Sequence, residues 1–363
     1  MSDEPYMALK KLGFDDWFVD HAKRLCGQGQ SLGRVMAVDR DRLVVHDGEE
    51  EFSAELLGKF FYAAERATAF PCVGDWVCLE HHDSDQFASI DSVLPRKSLI
   101  KRKASGYNDE FQMLAANIDV AFIVMSCDYD FHVRKLERFL VLVNEGRVKP
   151  VLILTKTDLM DAEDLGMMQE DIEDAGITIK TLLVSNKTGE GLDAIKQLML
   201  PQKTYCLLGS SGVGKTSLMN LILGDARFET QSVSASGEGK HTTVRRHLLL
   251  LEQGSMLIDM PGIRELAIAE VSEGIQESFE DILEIAALCR FSNCTHGNEP
   301  DCAIVAAIEN DELDIEHYDN YLKIQKESSH KKSGTIGERR KGKNASRLAA
   351  SKTRNKKKIV SED

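Results

Sequence analysis

No stretch of the 363 residues approaches the ~18 uninterrupted apolar residues that a membrane helix needs. That absence excludes a helical membrane span, and no membrane partner is expected. The opening residues, Met1 to Lys10, carry acids and lack the apolar core of a secretory signal, so a cytoplasmic location is expected. No internal repeat is visible. What remains is length for two or three domains and an apolar fraction of 42%, ordinary for a globular chain.

A net positive charge is also lacking. The formal net charge is -14, which taken alone argues against nucleic acid. The distribution reverses that inference. Residues 331–358 hold twelve Lys/Arg against the single acid Glu338, a net of +11, whereas 1–330 hold 33 Lys/Arg against 56 acids, a net of -23. An acidic body with a basic C-terminal arm suits contact with a phosphate backbone. Five of the eight cysteines, Cys26, Cys72, Cys78, Cys127 and Cys206, are scattered in mostly apolar contexts and read as buried thiols. The other three cluster around a histidine.

The apolar pattern divides the chain. Residues 1–30 are weakly patterned. Over 31–100, about five short strands with turns predict a small barrel of the OB type. Residues 101–117 read as a linker that starts with Lys101-Arg102-Lys103. Over 118–272 apolar strands alternate with helical spacing, which predicts an α/β domain with a parallel sheet covered by helices on both faces. Helices are predicted again over 273–328, around the Cys/His cluster. Residues 329–363 form a basic, apolar-poor tail.

Gly209-Ser210-Ser211-Gly212-Val213-Gly214-Lys215-Thr216, with Ser217 behind it, fits the phosphate-binding pattern G-x-x-x-x-G-K-[ST]. An apolar strand precedes it and a helix follows. Its glycines let backbone N–H groups turn inward around phosphate oxygens. Lys215 is expected on the β- and γ-phosphates and Thr216 on Mg²⁺. Asp259-Met260-Pro261-Gly262 ends the next strand as a D-x-x-G element. There Asp259 would hold Mg²⁺ through water and Gly262 would donate to the γ-phosphate.

Two further loops address the base. Thr155-Lys156-Thr157-Asp158 resembles N-K-x-D, with Thr in place of the usual Asn. Asp158 would accept from guanine N1–H and the 2-amino group, donors that adenine lacks, so a buried Asp158 would be unpaired against ATP. Ser185-Asn186-Lys187 resembles S-A-K. Together they predict GTP, with GDP as its product. The order is unusual, because both base elements precede the P-loop, and the GTPase domain is therefore read as circularly permuted. No Gln follows the D-x-x-G element, where Ile263 stands. His241, in Gly239-Lys240-His241-Thr242-Thr243, is the candidate to orient the attacking water, and Thr243 is the candidate switch ligand of Mg²⁺. Cys289, Cys294, His296 and Cys302 supply three thiolates and an imidazole, a set suited to one structural Zn²⁺.

Taken together over roughly 31–325, these residues resemble the RsgA (YjeQ/EngC) family of circularly permuted, small-ribosomal-subunit-dependent GTPases. The resemblance extends to Gly74-Asp75-Trp76-Val77, Leu114-Ala115-Ala116-Asn117-Ile118-Asp119 and Cys289-Arg290-Phe291-Ser292-Asn293-Cys294-Thr295-His296. It implies an OB domain, a central GTPase and a C-terminal zinc domain. It also implies GTP hydrolysis stimulated by the 30S subunit in late maturation, contacts with 16S rRNA, and His241 as the catalytic residue. A monomer is expected. Two rivals are a GTP-regulated RNA-binding module with negligible turnover and a P-loop ATPase or kinase for a small molecule.

Overall fold

The computed structural model describes residues 6–39, 42–57, 70–81, 87–103, 111–128, 130–224, 246–260, 273–291, 294–296, 299–310 and 312–328. Five strands close the N-terminal barrel: β1 (Ser31–Val38), β2 (Leu43–His46), β3 (Glu51–Leu56), β4 (Trp76–His81) and β5 (Phe87–Val93). Pairing runs β1–β2–β3–β5–β4 and returns to β1, with β3–β5 the parallel pair. This is the OB arrangement. Val35, Val45, Val77, Leu79 and Ile90 fill its interior.

The weakly patterned N-terminus contributes two helices, α1 (Met7–Lys10) and α2 (Asp16–Leu25). Asp15 caps α2 by accepting from the Phe18 N–H. Phe14 and Phe18 then pack on Trp76 of β4, with ring centroids 4.7 and 5.8 Å away. The end of α2 lies over β4, where Cys26 and Cys78 form a disulfide. That corrects the reading of both as free thiols. Cys72, Cys127 and Cys206 are free and buried.

Residues 101–117 are not a bare linker. β6 (Leu99–Lys103) and β7 (Phe111–Ala116) pair antiparallel, from Leu99 opposite Ala116 to Lys103 opposite Phe111. The basic end of β6 masks its strand character in the sequence, and Lys101 and Arg102 are half-buried there.

The second sheet has the order β10-β9-β8-β11-β13-β12. Its strands are β8 (Val120–Ser126), β9 (Lys149–Thr155), β10 (Thr181–Leu183), β11 (Thr204–Leu208), β12 (His247–Leu250) and β13 (Met256–Asp259). All run parallel except β12, which forms a hairpin with β13. Near-continuous apolar runs are required because both faces are covered. Phe122 and Val124 of β8 pack with α5 (Leu192–Leu198) and α6 (Lys215–Leu223). Ala121, Ile123 and Met125 face α3 (Val133–Glu145) and α4 (Ala162–Asp174). Among the described residues one strand bridge, Ala37 opposite His247, pairs barrel with sheet.

Arg34 is the joint between them. It is 2% exposed and donates to the carbonyls of Leu12, Gly74 and Asn117 and to Thr204 Oγ1. One guanidinium thus ties the N-terminal helices, the barrel turn and the GTPase sheet. Burial pulls its pKa down to about 10, against the raising influence of Asp119 and Asp75, so it stays charged at neutral pH.

The C-terminal helices are α7 (Glu273–Ser278), α8 (Glu280–Ala287), α9 (Ala303–Glu309) and α10 (315–328). Phe279, Ile282, Ile304, Tyr321 and Ile324 make their core, with Val141 of α3 included. Gly274 lies so close to α3 that an added Cβ would sit 2.3 Å from the Val141 carbonyl oxygen.

Candidate nucleotide and metal sites

Among the described residues the P-loop, the Thr155–Asp158 and Ser185–Lys187 loops and Asp259 converge at the carboxyl ends of β9, β10, β11 and β13, where parallel sheets bind ligands. Between β11 and α6 the P-loop turns on glycines. Gly209 has φ +147, and a Cβ there would lie 2.1 Å from the Val124 carbonyl oxygen. Gly214, at φ +91, caps α6. Lys215 Nζ donates to the carbonyl oxygens of Gly209 and Ser210 at 2.9 and 2.5 Å. Burial pulls the Lys215 pKa down to about 8, although Asp259 and Asp130 favour its charged form. Asp259, at the end of β13, is pushed above the usual carboxylate range by burial, opposed by Lys215 and the Met260 N–H. Both groups are held in a poorly solvated space, where charge on a bound phosphate or cation has its largest effect.

Thr155 ends β9 fully buried and donates to the Val213 carbonyl oxygen at 2.6 Å. Lys156 adopts φ 61, which swings its side chain to Asp128, with Nζ 2.7 Å from Oδ2. Asp158 lies in the 3-10 turn Thr157–Leu159 and accepts from Ser185 Oγ at 2.7 Å. The expectation of a buried Asp158 is corrected, since it is exposed in this structure. Ser185 is fully buried and accepts from the N–H groups of Lys187 and Thr188. Asn186 donates to the Gly214 carbonyl oxygen at 3.0 Å. The two base loops therefore touch each other and the P-loop.

Asp128 was missed in the sequence. It receives Ser126 Oγ at 2.7 Å, the Asp130 N–H and Lys156. Burial alone would raise its pKa, but these donors hold it below the usual carboxylate value. The available signal was an acid just after an apolar strand, the same signal that marked Asp259. His241, Thr243 and Gly262 lie outside the described residues.

Cys289, Cys294, His296 and Cys302 are brought together, with their ligand atoms all within 4.8 Å of one another. Cys289 Sγ lies 3.5 Å from His296 Nδ1 and 3.9 Å from Cys302 Sγ, and Cys302 Sγ lies 3.6 Å from His296 Nδ1. A tetrahedral zinc with Zn–S of about 2.3 Å and Zn–N of about 2.0 Å places sulfurs about 3.8 Å apart and sulfur and nitrogen about 3.5 Å apart. The residues fit such an ion. Cys302 is also the N-cap of α9.

Comparison with known proteins identifies the family and the fold. The family model described as RsgA GTPase matches residues 93–269. A Lactiplantibacillus plantarum protein, small ribosomal subunit biogenesis GTPase RsgA 2, is 39% identical over 303 residues, covering 83% of this chain and 84% of that protein. The chain belongs to the RsgA GTPase family. Another RsgA, from Listeria monocytogenes, is 38% identical over 89% of this chain and 90% of its own length. Among solved structures, YjeQ from Thermotoga maritima matches with TM-score 0.61 and 28% identity, over 81% of this chain and 97% of that one. YloQ, described as a circularly permuted GTPase, matches with TM-score 0.58 and 25% identity, over 84% of this chain and 96% of its own. The permuted motif order of this RsgA-family chain accords with that description. Among the described residues no helix is long and apolar enough to cross a membrane.

Proposed function

We propose that this chain hydrolyses GTP to GDP and phosphate, and that it acts in biogenesis of the small ribosomal subunit, which stimulates its turnover. The observation that carries the reading is the convergence of three loops on one sheet edge. The P-loop, the Thr155–Asp158 loop and the Ser185–Lys187 loop are linked by the bonds Ser185–Asp158, Thr155–Val213 and Asn186–Gly214. A phosphate cradle and a guanine-reading carboxylate so coupled suit a guanine nucleotide and no smaller ligand.

In this reading Asp158 accepts from guanine, Lys156 packs its stem over the base under the hold of Asp128, and the P-loop N–H groups and Lys215 take the phosphates. Mg²⁺, which would spread the phosphate charge when bound, falls to Thr216, Thr243 and Asp259. His241 orients water, and Gly262 reports the γ-phosphate. Zn²⁺ at Cys289, Cys294, His296 and Cys302 is structural, since four protein ligands leave no open position. The 30S partner enters from the names of the RsgA relatives. Contact with 16S rRNA is assigned to the basic tail and the Lys101-Arg102-Lys103 strand, on charge grounds. The protein is taken as a cytoplasmic monomer.

The test is GTP turnover measured with increasing purified 30S subunits, with ATP in parallel. Saturable stimulation of GTP hydrolysis alone is expected. Equal rates with and without subunits, or equal use of ATP, would overturn the reading.

A further inference from the structure

The two base-reading loops depart from the usual pattern together. The first position of N-K-x-D holds Thr155, which has no amide. The second position of S-A-K, usually a methyl side chain, holds Asn186, which has one. The structure places these two side chains on adjacent P-loop carbonyls. Thr155 Oγ1 donates to Val213 at 2.6 Å, and Asn186 Nδ2 donates to Gly214 at 3.0 Å. They also share one neighbour. A Cβ built on Gly214 would lie 2.5 Å from Asn186 Nδ2 and 3.8 Å from Thr155 Oγ1. The space is thus filled from the 186 side, and a larger amide at 155 would compete for it. Among the described residues Asn186 Oδ1 is buried without a hydrogen-bond partner, so the amide is held by its donor side alone.

We propose that Thr155 and Asn186 are a complementary pair, in which the amide that fastens the base-reading loops to the P-loop has moved from position 155 to position 186. Asn186 is then a positioning residue for nucleotide retention. Its N–H holds the Gly214 carbonyl, which also accepts the Leu218 N–H that opens α6. The fastening fixes the first turn of the helix beneath the phosphates relative to the loop that carries Ser185 and, through it, Asp158. The inference rests on the reading of Asp158 as the guanine acceptor.

The experiment measures the release rate of a fluorescent GDP from full-length protein with Mg²⁺ present. The variants are Asn186→Ala, Asn186→Asp, Thr155→Asn and the double Thr155→Asn/Asn186→Ala. Loss of one such hydrogen bond corresponds to roughly 5- to 10-fold faster release for Asn186→Ala. Asn186→Asp should be faster still, because a carboxylate then faces the Gly214 carbonyl oxygen. Thr155→Asn alone should also speed release through crowding. The double variant should return to within roughly twofold of the parent, because the amide is back at 155. Single effects that multiply in the double variant overturn the pairing. So does an Asn186→Ala protein that releases GDP at the parental rate. If Thr155→Asn does not fold, Asn186→Asp decides, and release no faster than from Asn186→Ala counts against the pair. Asp158→Asn, run beside them, separates the two failures. Unchanged preference for GDP over xanthosine diphosphate in that variant means that the base site was misassigned, whatever the pair does.

Discussion

Lys215 is a cation held in a poorly solvated loop, with its pKa brought down to about 8 by burial. In the free protein it loses its proton as pH rises through about 8. A bound diphosphate favours the charged form, so binding takes up a proton above that pH. Between about pH 7 and pH 9, above the ionisation of the phosphate and below that of guanine N1–H, affinity for GDP should therefore fall with rising pH, by up to tenfold per pH unit once Lys215 is deprotonated. Titration calorimetry in buffers of different ionisation heat checks both the decline and the proton uptake. Lys215→Arg, charged throughout, should lack the slope; a slope that persists there assigns the proton to another group. The P-loop and Asp259 stand out in the sequence because local chemistry marks them: the glycines by their pattern, Lys215 and Asp259 by spacing. Asp128 was not, because its value comes from Lys156, a residue on the next strand's loop. The move of the amide from 155 to 186 was visible as two separate oddities, and only contact joined them.

At the scale of elements, α3 performs two tasks. Its amino end lies near the P-loop, since Lys135 and the preceding Asp130 both act electrostatically on Lys215. Its far face holds the C-terminal helices. Glu137, 1% exposed, receives Arg134 at 2.6 Å, His317 Nδ1 at 2.7 Å and Asn320. Asp281 of α8 lies 3.1 Å from His317 Nε2. Burial pulls the His317 pKa down, but Asp281 and Glu137 outweigh it and raise it to about 9. A raised folded-state pKa gives stability that is complete below about pH 6.5 and lost as pH rises through about 9, on the order of 3 kcal/mol. Denaturation followed from pH 6 to 9.5 should show that decline, and His317→Gln should flatten it. An unchanged pH profile in the variant would remove His317 from the docking account. The predicted helices of this region were legible from periodicity. Their seat was not, because Glu137 looks like a surface residue of an amphipathic helix, and its partner His317 comes 180 positions later.

The Cys/His cluster belongs to the same scale. One zinc per chain is expected by metal analysis of unchelated protein. Cys294→Ser should loosen α8 and α9 while GDP affinity changes by less than about threefold, because the P-loop shares no ligand with the cluster. Limited proteolysis and nucleotide titration of that variant give the two readings. Metal-free, fully folded parent protein contradicts the assignment.

Across the whole molecule, barrel, sheet and helical domain were legible because each has its own apolar rhythm. The joints were not. Arg34 binds four carbonyl or hydroxyl oxygens from three parts of the chain, and nothing in its local sequence marks it. The β6–β7 pair does not stand out in the sequence, because β6 ends in three consecutive charged residues, Lys101, Arg102 and Lys103. The permuted order was legible outright, and it has a mechanical consequence. The D-x-x-G strand β13 is followed in the chain by the helices that dock on α3, the connection through which we propose that nucleotide state reaches the Cys/His cluster.

The most direct test is a change of base specificity, measured on the whole chain in the presence of small ribosomal subunits. Asp158→Asn turns the acceptor toward guanine into a donor, which suits the 2-carbonyl of xanthine. Turnover of GTP and of xanthosine triphosphate is measured for the parent and the variant with saturating 30S subunits. The parent should use GTP, the variant should lose it by roughly 100-fold or more, and 30S-stimulated hydrolysis of xanthosine triphosphate should appear in the variant. GTP turnover that survives the substitution at the parental rate contradicts the assignment of Asp158 to guanine.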